Sequence, residues 1–187
     1  MVQTGPKTHP AIESTRLVEI IGLANQTQPL DYLPGVRISA KADYAVRLAA
    51  ELAAAEPGTP VTGPALASAQ DAPLAFCENI LGSLRTAGIV QSKRGAEGGY
   101  LLAKRPADVT VADVIRAVDG PLGAVHGDAP ENLAYLGAAA RLVDVWIAVR
   151  ASVRDVLERV TLADLAAGRL PSKVEKLAST PDARRRR

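Results

Sequence analysis

The sequence predicts a mainly α-helical fold with one small β-ribbon and one long helix, on three observations. Apolar residues recur at helical spacing in three short segments between Ser39 and Ala87. Two short apolar runs then flank a glycine-rich hairpin at 89–102. Finally, an apolar stripe at alternating spacings of four and three runs through 132–160. Composition agrees. Apolar residues make up 48% of the chain and aromatics only 3%, so the core must be built from Ala, Leu, Val and Ile, two of which head the helix-propensity scale.

The elements follow in order. Ser39 is placed to cap a helix running to Ala55, with Ala45, Leu48, Ala49 and Leu52 on one face, and Glu56-Pro57-Gly58 stops it. Thr62 caps a second, short helix over 64–69 with Leu66 inward. After a tight turn at Gln70-Asp71, Pro73 suits the first turn of a third helix, where its missing N–H costs nothing; that helix ends at Ala87-Gly88. Its apolar stripe is Cys77, Ile80, Leu81 and Leu84. Three short helices, the last two joined by a tight turn, match a helix-turn-helix. The runs 89–93 and 100–102 around Arg94 to Gly99 read as a hairpin, and in that position a hairpin is a wing. Thr110-x-x-Asp113, a capping-box variant, opens a helix over 111–118 that Gly120-Pro121 closes. A loop at 123–130 leads to the long helix, 132–160. Thr161 then restarts a short helix through Ala167, closed by Gly168.

The organisation that results is a winged helix-turn-helix domain over 35–120, followed by a loop and dimerisation helix over 121–168. These are flanked by a disordered extension, 1–34, and a basic, disordered tail, 169–187. A second reading of the proline-bearing extension makes Val36 the start codon. The apolar run Leu17 to Ala24 is broken by Glu19, and no stretch approaches the roughly 20 apolar residues of a membrane span, so neither a signal peptide nor a membrane partner is expected. The one cysteine, Cys77, cannot make an internal disulfide or build a metal site by itself, and a reducing cytoplasm is the expected compartment.

Catalysis is not expected. The only histidines are His9 and His126, and no nucleophile–base pair, zinc motif or phosphate loop is present. Gly95-x-x-Gly98-Gly99 lacks the strand-to-helix setting of a nucleotide loop. Charge points instead to double-stranded DNA. Between Arg85 and Arg105 lie five basic residues and one acid, in a chain whose total is only +2. Opposite the third helix's apolar stripe lie Ala75, Glu78, Asn79 and Ser83; Asn pairs bidentately with adenine and Glu accepts from cytosine. Arg94, beside Lys93 and Gly95 on the wing, suits a narrow minor groove, and Ser39, Lys41 and Tyr44 suit phosphates. On the long helix, Tyr135, Ala139, Leu142, Trp146, Val149, Val153, Val156 and Val160 form a seam roughly 40 Å long. A second copy of the chain is expected to cover it, with Trp146 as the central anchor. The competing reading is a winged-helix adaptor that binds protein and no DNA.

At these residues a resemblance emerges. Arg37-Ile38-Ser39-Ala40-Lys41-Ala42-Asp43-Tyr44-Ala45-Val46-Arg47 resembles the opening of the BadM/Rrf-two family of winged-helix regulators. Glu78-Asn79-Ile80-Leu81, then Leu84-x-x-Ala87-Gly88-Ile89-Val90-x-Ser92-x-Arg94-Gly95-x-x-Gly98-Gly99-Tyr100, resembles its central signature, and Val114-Ile115-x-Ala117-Val118-Asp119-Gly120 the segment after the wing. The resemblance implies a homodimeric regulator on a palindromic operator; repression is the expected outcome, although the sequence itself does not separate it from activation. It places the positions of Ala75, Glu78, Asn79 and Arg94 at DNA, although Ala75 carries no hydrogen-bonding side chain. Iron–sulfur members, similar to IscR and NsrR, carry three cysteines in the loop before the dimerisation helix. Here 121–130 has none, and His126 alone cannot hold a cluster. The resemblance is therefore to cluster-free members of CymR type, without a cofactor, which respond to an effector metabolite or a partner protein.

Overall fold

A computed structural model describes residues 38–95 and 97–185. The extension 1–34 and the start-codon reading lie outside them. Helix α1, Ala40–Ala54, begins where the Ser39 hydroxyl accepts the Ala42 N–H at 2.9 Å. Helix α2, Gly63–Ala69, is capped by Thr62, and helix α3 spans Leu74–Thr86. Between α2 and α3 the chain reverses through Asp71 at φ 47°, a left-handed conformation that Asp tolerates better than most side chains. Gln70 ties this turn back to α1, its Nε2 donating to Glu51 Oε1 at 2.6 Å.

Strands β1, Val90–Lys93, and β2, Gly99–Leu102, pair antiparallel with Val90 opposite Leu102 and Lys93 opposite Gly99. The wing is also stitched to the chain just before α2. Val61 N–H donates to the Tyr100 carbonyl at 2.9 Å, and Tyr100 N–H to the Val61 carbonyl at 2.8 Å. This approach is close enough that a Cβ on Gly99 would stand 2.5 Å from the Val61 carbonyl oxygen, so only glycine fits.

Helix α4, Val111–Asp119, and helix α6, Leu162–Ala166, start side by side. Thr110 and Thr161 form an antiparallel bridge: Val111 N–H donates to the Val160 carbonyl and Leu162 N–H to the Val109 carbonyl, each at 2.9 Å. Each helix opens on the same capping box, Thr110 with Asp113 and Thr161 with Asp164. Leu162 is therefore part of the core, with Leu48, Leu66, Cys77, Ile80, Leu81, Leu84, Val90, Val109 and Val114. The winged-helix unit thus draws its last core residue from beyond Gly120, out of the 121–168 segment.

Two expectations are corrected. The long helix does not begin at Asn132. Helix α5 spans Leu142–Leu157, 16 residues or about 24 Å, and 130–139 instead holds two 3-10 turns. Pro130 opens the first, and Gly137 at φ 59° opens the second in a conformation a helix cannot contain. Tyr135 and Ala139 therefore fall outside the helical seam. Val160 also leaves it, buried in the winged-helix core. The segment 169–187 is not wholly irregular either. Helix α7, Ser172–Ala178, rests on α5 through an ion pair from Lys173 to Asp155, and a 3-10 turn follows at Pro181–Arg184.

Candidate nucleic-acid interface

Helix α3 turns Cys77, Ile80, Leu81 and Leu84 inward, which leaves Ala75, Glu78 and Asn79 exposed on its other side. Pro73 supplies no capping side chain, and the Phe76 and Cys77 N–H groups are the first to find an acceptor, both at the Pro73 carbonyl. The N–H groups of Leu74 and Ala75 thus remain at the helix start, the usual place for a phosphate oxygen. Ala75, which has no polar side chain, still offers this backbone donor. Asn79 presents a free carboxamide, with no side-chain hydrogen bond among the described residues. Ser83 is only half exposed, and its hydroxyl donates back to the Asn79 carbonyl at 3.3 Å. Glu78 lies beside the first turn of α2, where a Cβ on Gly63 would be 3.8 Å from its Oε1.

The wing carries Lys93, Arg94 and Gly95, all exposed. No ion pair or hydrogen bond among the described residues holds the Lys93 or Arg94 side chain. Arg105 differs from them: its guanidinium is locked on Asp108 by hydrogen bonds of 2.7 and 2.8 Å, which leaves it less to give a phosphate. Each member of that pair moves its partner toward the charged form; the hydrogen bond, then the opposite charge, raises Arg105, while the hydrogen bond from Arg105 lowers Asp108.

At the start of α1, Ser39 is committed to its cap through one lone pair, and Lys41 is half exposed beside it. Tyr44 has a packing role that the sequence did not disclose. Its ring meets Phe76 edge-on, centroids 5.4 Å apart, and carries the Arg47 guanidinium 4.7 Å above it. That contact joins α1 to the first turn of α3. Arg47, whose other partner is Asp43 at 2.6 Å, is a basic group on this side of the molecule that helical periodicity alone does not single out.

Helix α5 presents the second surface. Leu142, Trp146, Val149, Val153 and Val156 are all half-buried and none of its residues is buried, while Val145 is 50% exposed. The Trp146 indole N–H donates to the Tyr135 hydroxyl at 3.1 Å, so Tyr135 meets the seam from the preceding loop instead of extending it.

The Rrf2 family profile, described as iron-dependent transcriptional regulator, matches residues 38–168. The chain belongs to the Rrf2 family of DNA-binding transcriptional regulators. This Rrf2 regulator is 50% identical over 143 residues to Rv1287 of Mycobacterium tuberculosis strain H37Rv, which carries an HTH-type transcriptional regulator name; the match spans 76% of this chain and 89% of the relative. It is 35% identical over 131 residues to the HTH-type transcriptional regulator CymR of Bacillus subtilis, spanning 70% of this chain and 90% of CymR. In three dimensions it resembles the structure of CymR, the global cysteine regulator of B. subtilis, with TM-score 0.61 and 34% identity over 71% of this chain and 97% of that one. It also resembles T. potens IscR, with TM-score 0.58 and 33% identity over 72% and 88% of the two chains.

The family description names iron, and the residues of this Rrf2 regulator do not fit a thiolate-held cluster. Its one cysteine, Cys77, is 0% exposed inside the α3 stripe, and burial pushes its thiol pKa up, away from the thiolate a metal needs. Residues 121–130 contain no cysteine. Among the described residues, no three His, Cys, Asp or Glu side chains gather to hold a metal. No described helix is long and apolar enough to cross a membrane.

Proposed function

We propose that this regulator works as a cytoplasmic homodimer, without a cofactor or an enzymatic activity, and represses transcription from a palindromic operator. The N-terminal half of α3 enters the major groove, where Asn79 and Glu78 meet base edges. Arg94 at the wing reaches the neighbouring minor groove, while Ser39, Lys41, Lys93 and Gly95 contact the backbone beside it. Tyr44 holds α1 against α3 at the DNA side.

The observation that carries this reading is the pairing of two exposed cations, Lys93 and Arg94, without an ion pair among the described residues, with the exposed Ala75–Asn79 edge of α3 in one wing-and-helix head. The apolar face of α5, half-buried in a single chain, supports the second copy. A dimer holds two such heads at a fixed separation, which is what a two-fold operator requires. The B. subtilis relative is the global cysteine regulator, so sulfur-metabolism genes, along with the regulator's own upstream region, are where the operator is sought first. Footprinting there is expected to show a symmetric protected site that is lost in Arg94→Ala at unchanged salt. Protection that survives the substitution would remove the wing from the interface.

A further inference from the structure

An open cleft of about 400 Å³ lies between α4 and α5, lined by Arg116, Gly120, Pro121, Leu122, Glu131, Arg150 and Arg154. Three arginines from two helices line it against one acid. Their carboxylate partners form a fixed set. Arg150 pairs with Glu131 at 2.7 Å and Arg154 with Glu158 at 2.9 Å; Arg116 pairs with Asp113 at 3.3 Å and also with Glu158. Three cations thus face three anions, and the arrangement is close to neutral overall. Two of those acids, however, are not in the lining. Asp113 is turned to the Thr110 cap, and Glu158 sits behind Arg116 and Arg154. Each guanidinium carries five N–H donors in a rigid fork, and these pairs use only part of that capacity. The acids therefore orient the forks and leave the remaining donors for an occupant.

The site is also built against its loop. Arg150 keeps only 21% of its side chain exposed. Gly123, at φ 67°, lies on its stem so closely that a Cβ would stand 2.9 Å from Arg150 Cβ and Cγ. Any other residue there would push the loop off α5 and open the cleft wall.

We infer that this cleft binds a small multivalent oxyanion, a metabolite bearing two or more carboxylate or phosphate groups, across Arg116 on α4 and Arg150 and Arg154 on α5. The volume is that of a metabolite site, and planar forks suit both kinds of oxyanion. Such an occupant ties the winged-helix unit to the helix that presents the assembly face, so a small molecule bound here can set one against the other. Its use as a signal rests on the DNA-binding reading above; the binding itself does not.

The test needs no DNA. Trp146 is the only tryptophan and lies one turn from Arg150 on α5, so it serves as the probe. The full chain is titrated with citrate and, separately, with pyrophosphate at constant ionic strength, following Trp146 emission and the thermal midpoint. Saturable binding of either probe, weakened at least tenfold in Arg150→Lys and in Arg154→Gln but kept in Arg94→Ala, is the expected result. The better probe identifies the oxyanion class. Arg150→Lys keeps the charge and loses only the fork, so a folded variant with weak binding reports on the site and not on stability. Absence of any emission change or midpoint rise with both probes, or equal binding in the Arg150 and Arg154 variants, overturns the proposal. Neither outcome touches the footprint, which tests the DNA reading alone.

Discussion

Arg94 and Asp164 show how much one side chain decides. Arg94 has no partner in the protein among the described residues, so its interactions are left for a ligand. Arg94→Ala is expected to cost about 1–3 kcal/mol of operator affinity and to relax base preference at the wing, whereas Lys93→Ala should weaken all duplexes alike and lower the salt slope by about one. Fluorescence anisotropy at several salt concentrations separates the two. Asp164 acts on the fold. The Thr161 hydroxyl, then the Thr161 backbone N–H, hold its carboxyl below the usual range. For Asp113, burial pushes upward, and the Thr110 N–H and hydroxyl together with Arg116 outweigh it to give the same downward direction. A carboxylate with a depressed folded pKa lends stability that is complete above its unfolded value, near 3.8, and lost as pH falls through the lower folded one. Acid unfolding below about pH 4 should therefore be shallower in Asp164→Asn, which keeps an acceptor for the cap but no charge to titrate, as denaturant midpoints between pH 2 and 6 will show.

Among the elements, helix α5 is where sequence and structure part. Its apolar period is real from Leu142 to Val156, but the same spacing continues through Tyr135 and Ala139, where the backbone is not helical. Period registers side-chain character alone and is blind to a left-handed Gly137 or to a proline-led turn at 130–132. The shorter helices were legible because each carries its own stop and start: Ser39, Thr62 and Thr110 as caps, Gly88 and Gly120 as ends. The second capping box, Thr161-x-x-Asp164, has the same spacing as Thr110-x-x-Asp113 and is as legible in the sequence. What no local pattern could show is contact across the chain: Gly99 against Val61, Tyr44 against Phe76, Leu162 in the core, and Arg116 facing Arg150. The polar edge of α3 and the wing cations followed from periodicity and charge, while the commitment of Arg105 to Asp108 did not. The shortened α5 still has an apolar face with Trp146 near its middle. Trp146→Glu is expected to give monomers in sedimentation velocity and at least a tenfold loss of operator binding. A fully dimeric variant would move the assembly surface away from α5.

Across the whole molecule, charge is unevenly divided. Residues 169–187 hold seven Lys and Arg and two Asp and Glu, so in a chain of net +2 the remaining residues carry −3. The basic stretch 85–105 is thus a local feature of a body that, without its final segment, is net acidic. Long-range attraction to a duplex depends on that balance, while base recognition depends on the wing and α3. Lys173 on α7 pairs with Asp155 on α5, and the sequence closes on four arginines, Arg184 to Arg187. Replacing these four arginines by serine takes the formal net charge from +2 to −2. Association with any duplex should slow, and the slope of log affinity against log salt should flatten by about 0.9 for each arginine that meets a phosphate. The preference for operator over random DNA should stay unchanged, because no base contact is lost. An unchanged slope, measured by anisotropy from 50 to 200 mM salt, would place the arginines away from the DNA. A changed preference would instead place them in a groove.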